Sequence, residues 1–187
     1  MEDALILVDS NDVEIGRAPK SECHRGDGMR HRAFSVVLFD GSGAVLIQER
    51  ATAKPLWPGF WANSVCSHPR VGETLANAAP RRVREELGIH SPPLTKIYRF
   101  EYRAQFEDRG TEHELCTVFV GLLDRNTVLR PDPNEIAQWE WIDAETLDRE
   151  MKNEARPFSP WFQLEWAELR SRYREEVTTA IHRETDE

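Results

Sequence analysis

Apolar and polar positions along this chain follow two different periods, and each marks a different kind of element. Near the start, Leu5-Ile6-Leu7-Val8 is a short apolar run that predicts a strand, and the polar stretch 9–16 predicts its turn. Residues 34–39 form a second apolar run, Asp40-Gly41-Ser42-Gly43 a tight turn, and residues 45–48 the returning arm of a hairpin. Further strands are predicted at 97–104, 114–122 and 138–142, and an ordered loop at 55–69, where Pro, Gly and Trp cluster. The helical period appears at residues 75–87, with Gly88 as the stop signal just past the end. Pro80 falls inside that segment, so either the first turn starts late or the helix bends. Ser159-Pro160 is a cap followed by a first-turn proline. It opens a long C-terminal helix whose apolar positions Trp161, Leu164, Leu169, Tyr173, Val177 and Ile181 recur at helical spacing. Strands interleaved with two or three helices predict one α/β domain over residues 1–187, a sandwich around a mixed sheet, with 178–187 as a flexible acidic tail.

Composition narrows what such a domain does. With 187 residues and 40% hydrophobic content the chain is large enough for a real core. A formal net charge of −9 argues against nucleic acid or an anionic membrane as a partner. An anionic ligand must therefore be held by a local basic cluster or a bound metal. No apolar run reaches the length of a membrane span, and Met1-Glu2-Asp3 is acidic where a signal peptide is cationic, so a cytoplasmic protein is expected. Cys23, Cys66 and Cys116 show no repeated spacing, which argues against a disulfide framework and fits a reducing compartment. Six tryptophans are many for this length, and the default place for most is the core.

Three groups of residues carry possible chemistry. His24, His31 and His68 with Glu112 and Glu114 offer imidazoles and carboxylates suited to zinc or manganese, and less ideally to magnesium. Glu112 and Glu114 are two apart, which in a strand puts both on one face. Cys66 lies in a loop leading to a helix and close in sequence to His68, a partner able to tune its proton affinity. Lys20, Arg50, Lys54 and Arg82 are the cations a diphosphate requires. Taken one at a time, each of these residues is more often an ordinary solvated or packed side chain.

Glu73, Arg81, Val83, Glu85, Glu86, Leu87, Gly88 and Ile89 match most of the pattern Gly-x5-Glu-x7-Arg-Glu-U-x-Glu-Glu-x-Gly-U, where U is aliphatic. This resembles a Nudix box, broken where Ser67 replaces the opening glycine and Arg82 replaces a glutamate. Together with Lys20-x3-His24-x6-His31, NSVCSHP at 63–69, EHELC at 112–116 and FSPW at 158–161, the box resembles type I isopentenyl-diphosphate isomerase, over about residues 5–170. The resemblance implies a Nudix-like α/β/α sandwich and the interconversion of isopentenyl and dimethylallyl diphosphate through a carbocation-like state. It implies Cys66 and Glu114 as catalytic groups with Tyr102 beside Glu114, and His24, His31, His68, Glu112 and Glu114 as ligands of one divalent metal (manganese, zinc or magnesium). Glu86 and the Cys66 carbonyl are implied to hold a magnesium that arrives with the diphosphate. Lys20, Arg50, Lys54, Ser67 and Arg82 are the implied diphosphate contacts, and Trp161 the aromatic wall beside the isoprenyl group. A small isoprenyl diphosphate is then the partner, and a monomer or weak dimer the assembly. The alternatives are a Nudix hydrolase of a nucleoside diphosphate derivative, which the missing carboxylate at Arg82 disfavours, and a non-catalytic metal- or ligand-binding module on the same scaffold.

Overall fold

The computed structural model describes residues 4–182. Its organising element is β3 (His31–Phe39), an apolar strand buried on both faces. One edge of β3 pairs in parallel with β8 (Gly110–Leu122), in a register that sets His31 beside Glu114 and Phe39 beside Leu122. Along the rest of its length β3 meets three antiparallel partners in turn: β1 (Ala4–Val8), β6 (Val65–Ser67) and β4 (Val45–Arg50). The sheet is completed by β2 (Glu14–Pro19) on β1, β5 (Trp61–Ala62) and β9 (Ile136–Ile142) on β4, and β7 (Thr95–Phe106) on β8. It is therefore a mixed sheet, as the pattern predicted.

Because side chains alternate across a strand, β3 feeds two separate cores. Phe34, Val36 and Leu38 pack with Ala78, Ala79, Val83 and Leu87 of α2 (Leu75–Leu87). Ala33, Val37 and Phe39 pack on the other face with Leu147 of α3 (Ala144–Lys152), with Trp161, Phe162, Trp166 and Leu169 of α4 (Pro160–Ser171), and with Val177 and Ile181 of α5 (Arg174–His182). Helices on both faces give the expected α/β/α sandwich. No helix among the described residues is long and apolar enough to cross a membrane.

Several local expectations change. The turn expected at 9–16 is shorter, because Glu14 already opens β2, a strand whose single buried residue, Ala18, gives no alternating signal. The 55–69 segment contains β5 and β6, and α1 (Lys20–Cys23) precedes His24; all three are too short to show a period. Helix α3 also escaped the pattern, since Leu147 is its sole fully covered side chain. Helix α2 already runs from Leu75 and continues past Pro80, so a late start is ruled out. It ends at Gly88 in the left-handed region, where a Cβ would come within 2.3 Å of the Arg130 carbonyl oxygen.

The single long C-terminal helix is instead two. After Arg172, which still bonds back to Glu168, the Tyr173 N–H also reaches the Glu168 carbonyl at 3.1 Å, one residue too far for an α-helix. That break lets the Tyr173 ring stack on Tyr98 with centroids 4.4 Å apart. Leu164, counted on the apolar stripe, is 51% exposed. Residues 178–182 belong to α5 rather than to a tail, and 183–187 lie outside the described residues.

Candidate active site

The register of the central strands assembles a polar centre at their shared end. His31 opens β3, Glu114 lies directly beside it on β8, His68 follows the short β6, and His24 caps the end of α1. One donor atom from each of these four lies within 4.8 Å of the others. His68 Nε2 is 2.9 Å from Glu114 Oε1 and 3.1 Å from His31 Nε2. His31 Nδ1 lies 2.7 Å from the Met29 carbonyl oxygen, which can only accept, so Nδ1 carries a proton and the ring turns Nε2 toward the cluster.

The electrostatics agree with a metal centre. Burial, then the neighbouring His68 and His31, pushes His24 down to about 3, and burial pushes His68 down to about 4 despite the Glu114 carboxylate. Both imidazoles are neutral at ordinary pH, the form that binds metals. Burial alone raises a carboxyl, but hydrogen bonds from His31 and His68 outweigh it and hold Glu114 well below the usual carboxylate range. His24 Nε2 is buried without a hydrogen-bond partner, an expensive state for a ring nitrogen unless a ligand completes it. Three imidazoles, one carboxylate and that orphaned nitrogen fit a divalent cation of the borderline class. Glu112 shares the face of Glu114, as the spacing predicted, but stands outside this group of four. The Tyr102 hydroxyl lies between them, 2.9 Å from Glu112 Oε2 and 2.8 Å from Glu114 Oε2. Burial, then the Glu114 charge, pushes Glu112 up to about 7.

His24, His68, Glu112 and Glu114 line a cavity of about 540 Å³. Cys66 and Trp161 line the same space, and so do Lys20, Arg50, Lys54, Ser67 and Arg82, brought together from five separate segments. Cys66 is half-buried on β6, and all three cysteines are free thiols. The partner expected from sequence, His68, is turned away toward Glu114. The thiol of Cys66 hydrogen-bonds with Cys116 on β8 instead. That bond by itself lowers its proton affinity, but burial and the Glu114 and Glu112 charges prevail and push the thiol up to about 11.

Several of the cations that line the cavity are paired within the protein. Arg82 donates to Glu86 Oε1 from Nε at 2.9 Å and Nη2 at 2.6 Å, and to Glu135 Oε1 at 3.0 Å. Lys54 also donates to Glu135. Arg50 is tied to the loop carbonyls of Trp57 at 3.1 Å and Leu56 at 2.9 Å, and its guanidinium lies 5.1 Å from the Trp161 ring centroid. Burial, then the Lys54 charge, lowers Lys20. Glu86 is buried behind Arg82 and pushed up to about 7 by that burial, outside the cavity lining. Within the box, Glu73 takes the Arg81 fork at 2.7 Å on both oxygens and so anchors the loop to α2. Sequence reasoning missed Glu135, which lies just before β9. It also missed the buried Asn63, Ser35 and Glu165 behind Trp161, because nothing in a one-dimensional pattern joins residues so far apart.

Comparison with known proteins agrees with the fold and gives the family. The NUDIX domain model matches residues 29–162. Among solved structures, DR0079 from Deinococcus radiodurans superposes with a TM-score of 0.70 over 87% of this chain and 96% of its own, at 22% identity. A MutT protein from Methanosarcina mazei Go1 does so at 0.60 over 79% and 94%, at 17% identity. At those identities the likeness concerns the fold alone. Closer in sequence are isopentenyl-diphosphate Delta-isomerase 1 of Photorhabdus laumondii, 40% identical over 88% of this chain and 93% of its own, and isopentenyl-diphosphate Delta-isomerase of Burkholderia multivorans, 42% identical over 87% and 90%. With that identity sustained across nearly its whole length, the chain belongs to the isopentenyl-diphosphate Delta-isomerase family, a branch of the Nudix fold.

Proposed function

We infer that the protein interconverts isopentenyl diphosphate and dimethylallyl diphosphate, with Cys66 and Glu114 as the two catalytic groups. The observation that carries this reading is the lining of one cavity. A thiol, a carboxylate and an indole share it with four cations of the kind a diphosphate requires. The reaction adds one proton to the terminal methylene carbon of the substrate, leaves a tertiary cation on the adjacent carbon, and removes a different proton from the next one along. Protons balance, and no oxidant or nucleophile is needed. What the protein must provide is a donor on one face, an acceptor on the other, and a dry, electron-rich surrounding between them.

The carboxyl wall is the proton-delivering side. A single tyrosine hydroxyl donates to one acceptor only, so two carboxylates on Tyr102 are satisfied when Glu112 is protonated and donates to the tyrosine oxygen. Tyr102 then donates to Glu114. Glu112, with its raised proton affinity, thereby feeds Glu114 through Tyr102. Cys66, ionised to the thiolate that a nearby bound cation would favour, receives the second proton. His24, His31, His68 and Glu114 would hold the divalent ion, with Glu112 beside them, and Glu86, once released from Arg82, would serve with the Cys66 carbonyl a magnesium carried by the diphosphate. When bound, these cations supply positive charge that lowers the proton affinity of the thiol and carboxyl groups next to them. Trp161 offers its π face to the developing cation, worth about 2 kcal/mol in a desolvated site. Lys20, Arg50, Lys54, Ser67 and Arg82 take the diphosphate oxygens.

The hydrolase alternative has less support, because Arg82 occupies the place of a box carboxylate and is locked against Glu86. An assay of isopentenyl diphosphate with magnesium, and with manganese or zinc added, should yield dimethylallyl diphosphate. A panel of nucleoside diphosphate derivatives should release no phosphate. Phosphate release without the allylic product would overturn the reading.

A further inference from the structure

The Trp161 indole is the start of a buried hydrogen-bond chain that ends on a carboxyl group outside the cavity. Trp161 Nε1 donates to Asn63 Oδ1 at 3.1 Å, Asn63 Nδ2 donates to Ser35 Oγ at 2.6 Å, and Ser35 Oγ donates to Glu165 Oε2 at 2.5 Å. Each of the four residues is covered from solvent, with exposures of 1% for Trp161 and 0% for the other three. Glu165 follows Trp161 by four positions in α4, so both project from one face of the helix and the chain closes into a ring through β3. Its other oxygen, Oε1, is buried without a hydrogen-bond partner. A leucine would fill this space without burying an unpaired oxygen, so packing alone does not account for a carboxyl group here.

Resting on the isomerase reading, we propose that Glu165 is a positioning residue that fixes the Trp161 indole through Ser35 and Asn63. The direction of the donors supplies the reason. Glu165 accepts the Ser35 hydroxyl proton, so Ser35 must accept from Asn63, and the Asn63 amide is left with its oxygen toward the indole N–H. The Val65 carbonyl accepts from the same amide nitrogen at 2.7 Å and completes that orientation. Without an acceptor at position 165 the Ser35 proton competes for Asn63 Oδ1, and the indole loses its fixed partner. The ring that must face a short-lived cation then samples tilted positions.

The test compares Glu165→Leu, Glu165→Gln and Ser35→Ala. In the leucine and alanine variants kcat should fall roughly tenfold to a hundredfold with KM within about twofold, the pattern of misplacement in the reacting state rather than weaker binding. Glutamine, which still accepts from Ser35, should recover most of that loss. Combining Glu165→Leu with Ser35→Ala should cost no more than either alone, because both cut one chain. The indole N–H resonance of Trp161, assigned with Trp161→Phe and read without substrate, should shift in both chain-cutting variants. Ser35→Ala removes a single oxygen and keeps the test standing if Glu165→Leu fails to fold. An unmoved Trp161 resonance, or wild-type kcat in Ser35→Ala, overturns the relay. Inactivity of the wild type on isopentenyl diphosphate instead overturns the reaction reading, and the resonance still decides the relay.

Discussion

The His/Glu cluster and the cations that line the same cavity are held in different ways. In the His/Glu cluster every donor group comes from, or directly adjoins, regular structure. His31 and Glu114 are neighbours because β3 and β8 pair in that register, and Tyr102 faces Glu114 because β7 and β8 do. The cations come from separate elements, Lys20 on α1, Arg50 at the end of β4, Lys54 in the loop after it and Arg82 on α2, and Arg82, Lys54 and Arg50 already hold protein partners. The strand register orders the His/Glu cluster directly. Arg82 and Lys54 are instead paired with Glu86 and Glu135, partners they would exchange on taking up a diphosphate. Geometry within half an ångström matters where protons move, whereas charge matters where the substrate is held.

This contrast sets the order of expected effects. Glu114→Gln or Cys66→Ala should lower kcat by roughly a thousandfold or more while circular dichroism and melting stay close to wild type. Unchanged turnover in either would remove the proton-transfer pair. His24→Ala should weaken divalent-metal binding by roughly tenfold to a hundredfold, seen by metal analysis after dialysis, with KM for the substrate changed far less. Retention of full metal content would mean that the orphaned His24 nitrogen serves another purpose.

Arg82→Ala acts on the cations instead, and KM should rise by roughly tenfold with a smaller change in kcat. A loss confined to kcat would show that Arg82 belongs with the His/Glu cluster. The smallest effect concerns stability. Burial, opposed by the hydrogen bond from Ser35, pushes Glu165 up to about 8, from an ordinary value of 4.5. The folded state therefore binds this proton more tightly than the unfolded state. Its contribution is fully present below pH 4.5 and is lost as the pH climbs through about 8. The melting temperature of Glu165→Gln should fall less steeply than that of wild type between those limits, a difference on the order of a few kcal/mol across the window. Parallel curves would show that the carboxyl is not protonated in the fold.

The sequence made the His/Glu cluster readable because the strands at its centre are periodic. An apolar strand predicts β3, and two-residue spacing predicts that Glu112 and Glu114 share a face. The box marks α2 with its stop at Gly88. The cations were readable through their residue types, since Lys20, Arg50, Lys54 and Arg82 do reach one cavity. Their partners were not readable. Glu135 meets Arg82 across 53 positions, and Glu165 meets Ser35 across 130. No local preference encodes pairings at such separations; only the assembled sheet does. The split between α4 and α5 was hidden for the same reason, because it depends on Tyr98 offering a ring for Tyr173 to stack on.

The most direct measurement follows deuterium. Wild-type protein, loaded with metal and given isopentenyl diphosphate in deuterated water, should form dimethylallyl diphosphate that carries solvent deuterium in a methyl group, and Cys66→Ala should form none. Hydrolysis of the diphosphate, or allylic product formed equally well without Cys66, would contradict proton transfer across this cavity.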